Sequence, residues 1–529
     1  MLKKILSLTF YLDRPQGFKE TVDKYLPKII QEISNLIRAK QKDFIHETFR
    51  LSASQINNLA QVLVEFAEDI HNSIGIWEAM ERYNLELFGT RLPLILEPGT
   101  EMPPGAFNTP RVQYLLFIYS RLLHQQLIAS PHHRDLIFLA SAITEFLEAK
   151  FQTMPQASGV KTFLATPNDY GWDVKKKLIW LGKHSYLFRQ CFQNYAKDHD
   201  GSKDVPTIDD FLNQETTIWS GLGVIDILAA ILDISQEDRV NIRSWHERHC
   251  AFYKVISTHG PVIEMLNIIN NQPYTVRVGD SSNNFDEQHL YFGNLVPYKG
   301  EWYWSGAQQR YDMVSEAKLK KVKSDFLSST KTMVFRYCKD LADKARESTK
   351  DQYLQFKKYA NGEDYLVFPD GRAFTDSMQE QLSIIHEDRL AKLEASPAEK
   401  EKFKVPDFSK SLPKEILKSA NGCCMYFNPD EGMEIWIDFN CLLGGLKKKG
   451  IDLDDDELYA ISGLIFSDSI SPNFVRELVR RFGEASIRAA FFLREPIGDQ
   501  YCLEYLLRQN KGQYFRNRYP SISFVESTH

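Results

Sequence analysis

This 529-residue chain has little excess of charge of either sign: 64 Lys and Arg stand against 70 Asp and Glu, a formal net charge of only -6. So small an imbalance excludes a global attraction to nucleic acid or to anionic membrane, and leaves such contacts to local patches. Cysteine is scarce as well. Cys191, Cys250, Cys338, Cys423, Cys424, Cys441 and Cys502 are odd in number, scattered, and form no Cys-x-x-Cys pair. That excludes a small disulfide scaffold. Buried thiols in a reducing compartment are expected instead, and hence a cytoplasmic protein. No apolar run reaches the ~18 residues that a membrane helix needs, so no membrane contact is expected. Residues 1–12 look at first like a secretory signal. Ser7 and Thr9 interrupt their apolar stretch, Asp13-Arg14 ends it, and no small-x-small site follows. They read as a buried strand or short helix.

Catalytic motifs are missing in the same way. The segment Trp245-His-Glu-Arg-His-Cys250 spaces its imidazoles three apart, where the zinc-protease motif needs them four apart on one helical face. His132-His133 sits in a turn at a helix start. The acidic stretch Asp452 to Glu457 lacks the central Gly and the terminal Glu of a calcium loop, and reads as the capped start of a helix. Gly221 and Gly223, and Gly444-Gly445, carry neither a dinucleotide fingerprint nor a phosphate loop, and no Gly-x-Ser-x-Gly elbow occurs. No cofactor and no metal follow from these residues.

What the chain does have is length and aromatic rings. A single core does not extend over 529 residues, so several domains are expected. With 34 Phe, 24 Tyr and 8 Trp, they can be well packed. Residues 1–247 read as all helical. Val22, Tyr25, Leu26, Ile29, Ile30, Ile33 and Ile37 form one helical stripe, with Pro27 inside it as a kink or break. Further helices are expected at 54–74, 112–128, 134–151, 174–197, 208–213, 222–232 and 236–248, with a Pro/Gly-rich loop at 154–171.

Between His249 and Gly306 the pattern changes. Five short β-rich runs alternate with turns such as His259-Gly-Pro and Tyr298-Lys-Gly, which predicts a small central β-barrel over residues 248–308. Strand alternation places Trp302 and Trp304 on one face and Tyr303 on the other, so that one face can fill the core and the other show an aromatic to a ligand. A barrel this small needs its large residues to close the core, however, and core packing is the expected role. The run is similar in pattern to Tudor-like and KOW-like small barrels, a likeness to which no family's functional residues attach. A long helix, a short strand and a charged linker are expected over 309–412. The C-terminal α+β region, 413–529, opens with a hairpin around Asn428-Pro-Asp-Glu-Gly432 and ends in an extended segment. The fold class is therefore α+β, predominantly helical and multidomain, with a small central β-barrel and a short C-terminal sheet.

Local positive charge is the remaining signal. From Lys318 to Lys358 there are twelve Lys/Arg against five acids, yet Asp325, Asp343 and Glu347 border the basic sector, as on a solvated helix. From Tyr505 to Val525 there is no acid at all. Arg508, Lys511, Arg516 and Arg518 there interleave with Tyr514 and Phe515, and Arg480 and Arg481 lie upstream. Cations that meet phosphates and rings that stack on bases make these eight residues the expected contacts to DNA or RNA. The reading is a non-catalytic binding or adaptor protein. A protein-interaction subunit and an enzyme with a dispersed site are the alternatives.

Overall fold

The computed structural model describes residues 12–45, 49–124, 130–313, 315–329, 339–392, 412–491, 499–518 and 523–525. The chain is α+β and mostly helical. Helices α1 (Leu26–Lys40), α2 (Ala53–Asn72), α3 (Ile76–Phe88), α4 (Thr109–Leu123) and α5 (Arg134–Phe151) come first. They are followed by α6 (Gly159–Leu164), α7 (Gly171–His184), α8 (Arg189–Asp198), α9 (Val205–Asn213), α10 (Val224–Ile231) and α11 (Gln236–Arg243). Strands β1 (His249–His259), β2 (Val262–Asn267), β3 (Pro273–Arg277), β4 (His289–Tyr298) and β5 (Glu301–Asp312) then form one sheet. Next come α12 (Glu316–Ser329), α13 (Lys339–Tyr359), β6 (Tyr365–Phe368), α14 (Gly371–Lys392) and α15 (Lys414–Lys418). The hairpin β7 (Cys423–Asn428) and β8 (Gly432–Ile437) precedes α16 (Phe439–Lys447), α17 (Asp455–Phe466), α18 (Pro472–Phe482) and α19 (Ala485–Ala490). Helix α20 (Asp499–Asn510) and strand β9 (Ser523–Val525) complete the described chain.

Two compact units emerge: Met1–Tyr337 with Glu495–Gln513, and Cys338–Arg494 with Tyr514–His529. The sequence boundaries near 247 and 308 both fall inside the first unit, and that near 412 falls inside the second.

In the first unit the helices form where stripe and cap agree. Ser52 accepts from Gln55 N, and the Gln55 side chain returns to Ser52 N, which closes a capping box on α2. Pro27 opens α1 rather than kinking it. It occupies the first turn, where its missing N–H has no intrahelical partner to lose. The helix expected over 174–197 is two helices, because Ser185 turns extended (φ -65°, ψ 150°) and ends α7. The core centres on fully buried Trp77, Tyr114, Trp219 and Phe66. Tyr505 of α20 joins it, bonded to Tyr114 through their hydroxyls at 2.8 Å and edge-on to Phe88.

The five-stranded sheet runs in the order β1-β2-β3-β5-β4, and β1 also pairs with β4. Its pairings are antiparallel except for β3 with β5, which meet in parallel at the single pair Val276↔Trp302. Alternation along β5 follows the pleat. Trp302 packs on His249 and Tyr274, and Trp304 packs on Tyr253 and Phe285. Tyr303 faces the other way, towards α7.

In the second unit the expected hairpin forms with Cys424↔Trp436 and Tyr426↔Glu434 in register, inside the order β6-β7-β8-β9. Phe356, Phe374, Met378, Ile416, Met425, Phe427 and Ile435 fill its core. The extended C-terminal segment appears as β9, parallel to β8 through Ile435↔Phe524. Residues 1–11 and 330–338, parts of a predicted strand or helix and of a predicted long helix, lie outside the described residues.

Candidate ligand cleft in the first unit

Past Val276↔Trp302 the strands β3 and β5 no longer pair, and a cleft of about 240 Å³ opens there. Five aromatic side chains stand in its wall: Trp172, Trp245, Phe285, Tyr303 and Trp304. Its polar lining is Lys175, Arg277, Ser281 and Gln308.

The start of α7 builds one side. Gly171 is required at that point, since a Cβ there would lie 2.6 Å from the Tyr303 ring. Without it the helix start and β5 could not approach so closely. Residues 170 and 172 carry aromatic rings out into solvent, with Tyr170 40% and Trp172 37% exposed. The two rings sit 4.8 Å apart, and Trp172 meets Tyr303 edge-on at 5.6 Å. The Arg277 guanidinium lies 5.4 Å over the Tyr170 ring. Such contacts suit a cation held on an aromatic face.

The loop that delivers these rings is fixed. Lys177 Nζ donates to Thr166 O and to Asn168 Oδ1 at 2.7 Å, while Tyr298 and Lys299 both donate to Asn168 O at 2.8 Å. Burial pushes Lys177 down to about 8. Tyr170 N donates to Asp173 Oδ2 at 3.0 Å, which starts the helix. The aromatic pair is therefore preorganised rather than carried on a slack loop.

Behind the wall lies a buried ion cluster. Lys175 pairs with Asp209 of α9 and donates to Ser305 Oγ at 2.9 Å. Arg248 pairs with Asp209 Oδ2 at 2.7 Å and also with Asp210. Burial alone would raise the Asp209 carboxyl, but the Lys175 and Arg248 cations outweigh it and hold the group below the ordinary carboxylate value. Burial dominates at Lys175 and pulls its amine down, with Asp209 opposing. At the rim, Arg277 grips Glu301 in a two-point pair. That hydrogen bonding lowers the Glu301 carboxyl, and burial pushes the neighbouring Tyr303 phenol up to about 12. Trp304 Nε1 is buried and finds no acceptor among the described residues.

The residues expected to touch nucleic acid are placed otherwise. Arg508 and Lys511 belong to the first unit, and Arg508 is half-buried at the end of α20. Lys511 is 0% exposed and so presents no charge to solvent. Tyr514, Phe515, Arg516 and Arg518 belong to the second unit, as do Arg480 and Arg481. Arg518 donates to Glu431 at 2.8 Å and covers the Tyr514 ring at 4.0 Å. Arg476 lies 5.9 Å over the Phe515 ring, and Arg516 is half-buried. Arg480 and Arg481 both grip Glu477, and Arg481 also reaches Glu363 at 3.0 Å. Arg480, Arg481 and Arg518 are thus each held by a carboxylate of their own unit.

Among the other candidates, Asp454 accepts from Glu457 N at 2.9 Å and caps α17, as the acidic stretch suggested. His249 bonds the Tyr274 hydroxyl at 2.8 Å inside the sheet, and His133 caps α5. Among the described residues no cluster of His, Cys, Asp or Glu has the arrangement to hold a metal, and no helix is long and apolar enough to cross a membrane. Trp172 and Lys175 of the cleft, with Tyr170 at its mouth and Asp209 behind its wall, escaped the sequence reading. Their one visible trace is a pair of aromatics flanking a glycine at a loop–helix junction, where a polar cap is the usual choice.

A family described as "Protein of unknown function (DUF3843)" matches residues 14–219. The chain is similar to that family over α1 to α9, a stretch that contains Tyr170, Trp172, Lys175 and Asp209 and stops before the strands. No curated protein and no solved structure matches the chain.

Proposed function

We propose that this chain is a non-catalytic binding protein that holds single-stranded nucleic acid at the Tyr170–Trp172 rings and in the cleft behind them. One observation carries the reading. Two exposed, preorganised aromatic rings stand beside Arg277 at the mouth of an aromatic cleft. Exposed rings of this kind stack on bases whatever their sequence, at about 1–3 kcal/mol per base. Within this reading the five-stranded sheet is a small β-barrel with an incomplete β3–β5 seam, and the helical half is the scaffold that presents it. Cys191, Cys250, Cys423, Cys424 and Cys441 as free thiols support a reducing, cytoplasmic setting.

Most cations at the cleft already have carboxylate partners, so stacking rather than phosphate contact supplies most of the affinity. Binding of short single-stranded oligonucleotides should quench tryptophan fluorescence and weaken with salt at a log–log slope of about one to two. Trp172→Ala should remove most of the affinity. Binding of a protein partner at this cleft, unaffected by nuclease, with no oligonucleotide binding, would replace this reading with a protein-interaction role.

A further inference from the structure

We infer that the base seated in the cleft is a keto-bearing pyrimidine, uracil or thymine, an assignment that rests on the nucleic-acid reading above. Size is the first reason. At about 240 Å³ the cleft is smaller than the ~300–1,000 Å³ typical of sites for drug-sized ligands, and suits one small planar ring. Its walls are flat aromatic faces, which fit such a ring and stack on it.

Hydrogen-bonding character is the second reason. Lys175 has three N–H groups and uses them on Asp209 and Ser305, which leaves one. Arg277 commits Nε and Nη2 to Glu301, so its Nη1 donors remain. Ser281 adds a hydroxyl and Gln308 an amide, both on exposed residues. No carboxylate lines the cleft among the described residues, and Asp209 and Glu301, which pair with its two cations, are not part of that lining. Donors therefore outnumber acceptors. A ring that presents two carbonyl oxygens satisfies such a wall. Cytosine keeps two acceptors, O2 and N3, but replaces the other carbonyl oxygen by an amino group. A donor set against that position then meets a donor and is left unpaired. The N3–H of uracil or thymine, by contrast, can be accepted by the Ser281 hydroxyl or the Gln308 amide oxygen. The same cations argue against an aromatic cage for a methylammonium group, which needs a wall without positive charge.

The test uses the full chain and short oligo(dT), oligo(dC) and oligo(dA) of equal length, followed by tryptophan quenching. One net hydrogen bond separates two ligands by about five- to tenfold, so oligo(dT) should bind that much more tightly than oligo(dC). Trp172→Ala should weaken all three oligonucleotides alike, because stacking does not read the edge. The double variant Ser281→Ala/Gln308→Ala touches only exposed residues and should bring the dT:dC ratio towards one, and Lys175→Met should do so further. Equal binding of dT and dC, or a ratio that none of these variants moves, overturns the assignment and leaves the nucleic-acid reading standing. Absence of binding to all three overturns both.

Discussion

Asp209 and Glu434 are both buried carboxylates, and their surroundings push them in opposite directions. Asp209 stands between Lys175 and Arg248, two cations that share one acid and hold it ionised. Glu434 has no such partner among the described residues. It accepts from Ser471 N at 3.0 Å and from Asn428 at 3.1 Å, while burial and then nearby Glu431 push it up to about 7. Arg518, the nearby cation, is spent on Glu431. The lesson is about counting. Twelve basic residues between Lys318 and Lys358, or four without an acid between them, say little about surface charge until their partners are known.

The largest way to break the contrast is to remove its centre. Asp209→Ala would leave Lys175 and Arg248 buried with one carboxylate fewer, and should destabilise the first unit by about 3–5 kcal/mol. Chemical denaturation followed by the fluorescence of buried Trp77, Trp219 and Trp245 measures this. A loss below about 1 kcal/mol would show that the cluster is solvated and that its charges do not shape the cleft.

The next effect is one of pH, and its sign differs between the two acids. The folded-state value of Glu434 is raised, so its stabilising contribution is complete below the ordinary carboxylate range and disappears as pH rises through about 7. Between pH 5 and pH 8 this group should cost the second unit about 2–3 kcal/mol. Asp209 is lowered, so its contribution is present above the ordinary carboxylate value and is lost only as pH falls further into the acid range. Hydrogen exchange of β7 and β8 at the two pH values, in the native chain and in Glu434→Gln, isolates the first effect. Equal protection at pH 5 and pH 8 in the native chain would count against a buried acid at this position.

How far the sequence revealed this contrast depends on range. The hairpin at Asn428–Gly432 and the strand alternation at Trp302, Tyr303 and Trp304 were legible, because turn residues and a period of two are local signals. The capping role of Asp454 was legible for the same reason. The cleft was not. Lys175, Asp209, Arg248 and Ser305 are spread over 130 residues and meet only because α7, α9, β1 and β5 converge. Among the arginines the range differs from case to case. Glu431 meets Arg518 across 87 residues and was not legible, whereas Glu477 stands three and four positions before Arg480 and Arg481 on one helix, a local pairing that the sequence already carried.

Two smaller effects place the binding surface itself. Trp172→Ala should lower oligonucleotide affinity by about 1–3 kcal/mol, the worth of one stacked base, with little change in stability because the ring is partly exposed. Arg518→Ala and Arg480→Ala should change that affinity by less than about twofold, since both side chains are held by Glu431 and Glu477 and exposed ion pairs contribute little. Both are measured by the same fluorescence titration at one salt concentration. If instead the arginine variants weaken binding and Trp172→Ala does not, the nucleic-acid surface belongs to the second unit. The carboxylates around those arginines would then have to yield to phosphate on binding, and the salt slope would steepen by about one for each arginine that contacts a phosphate.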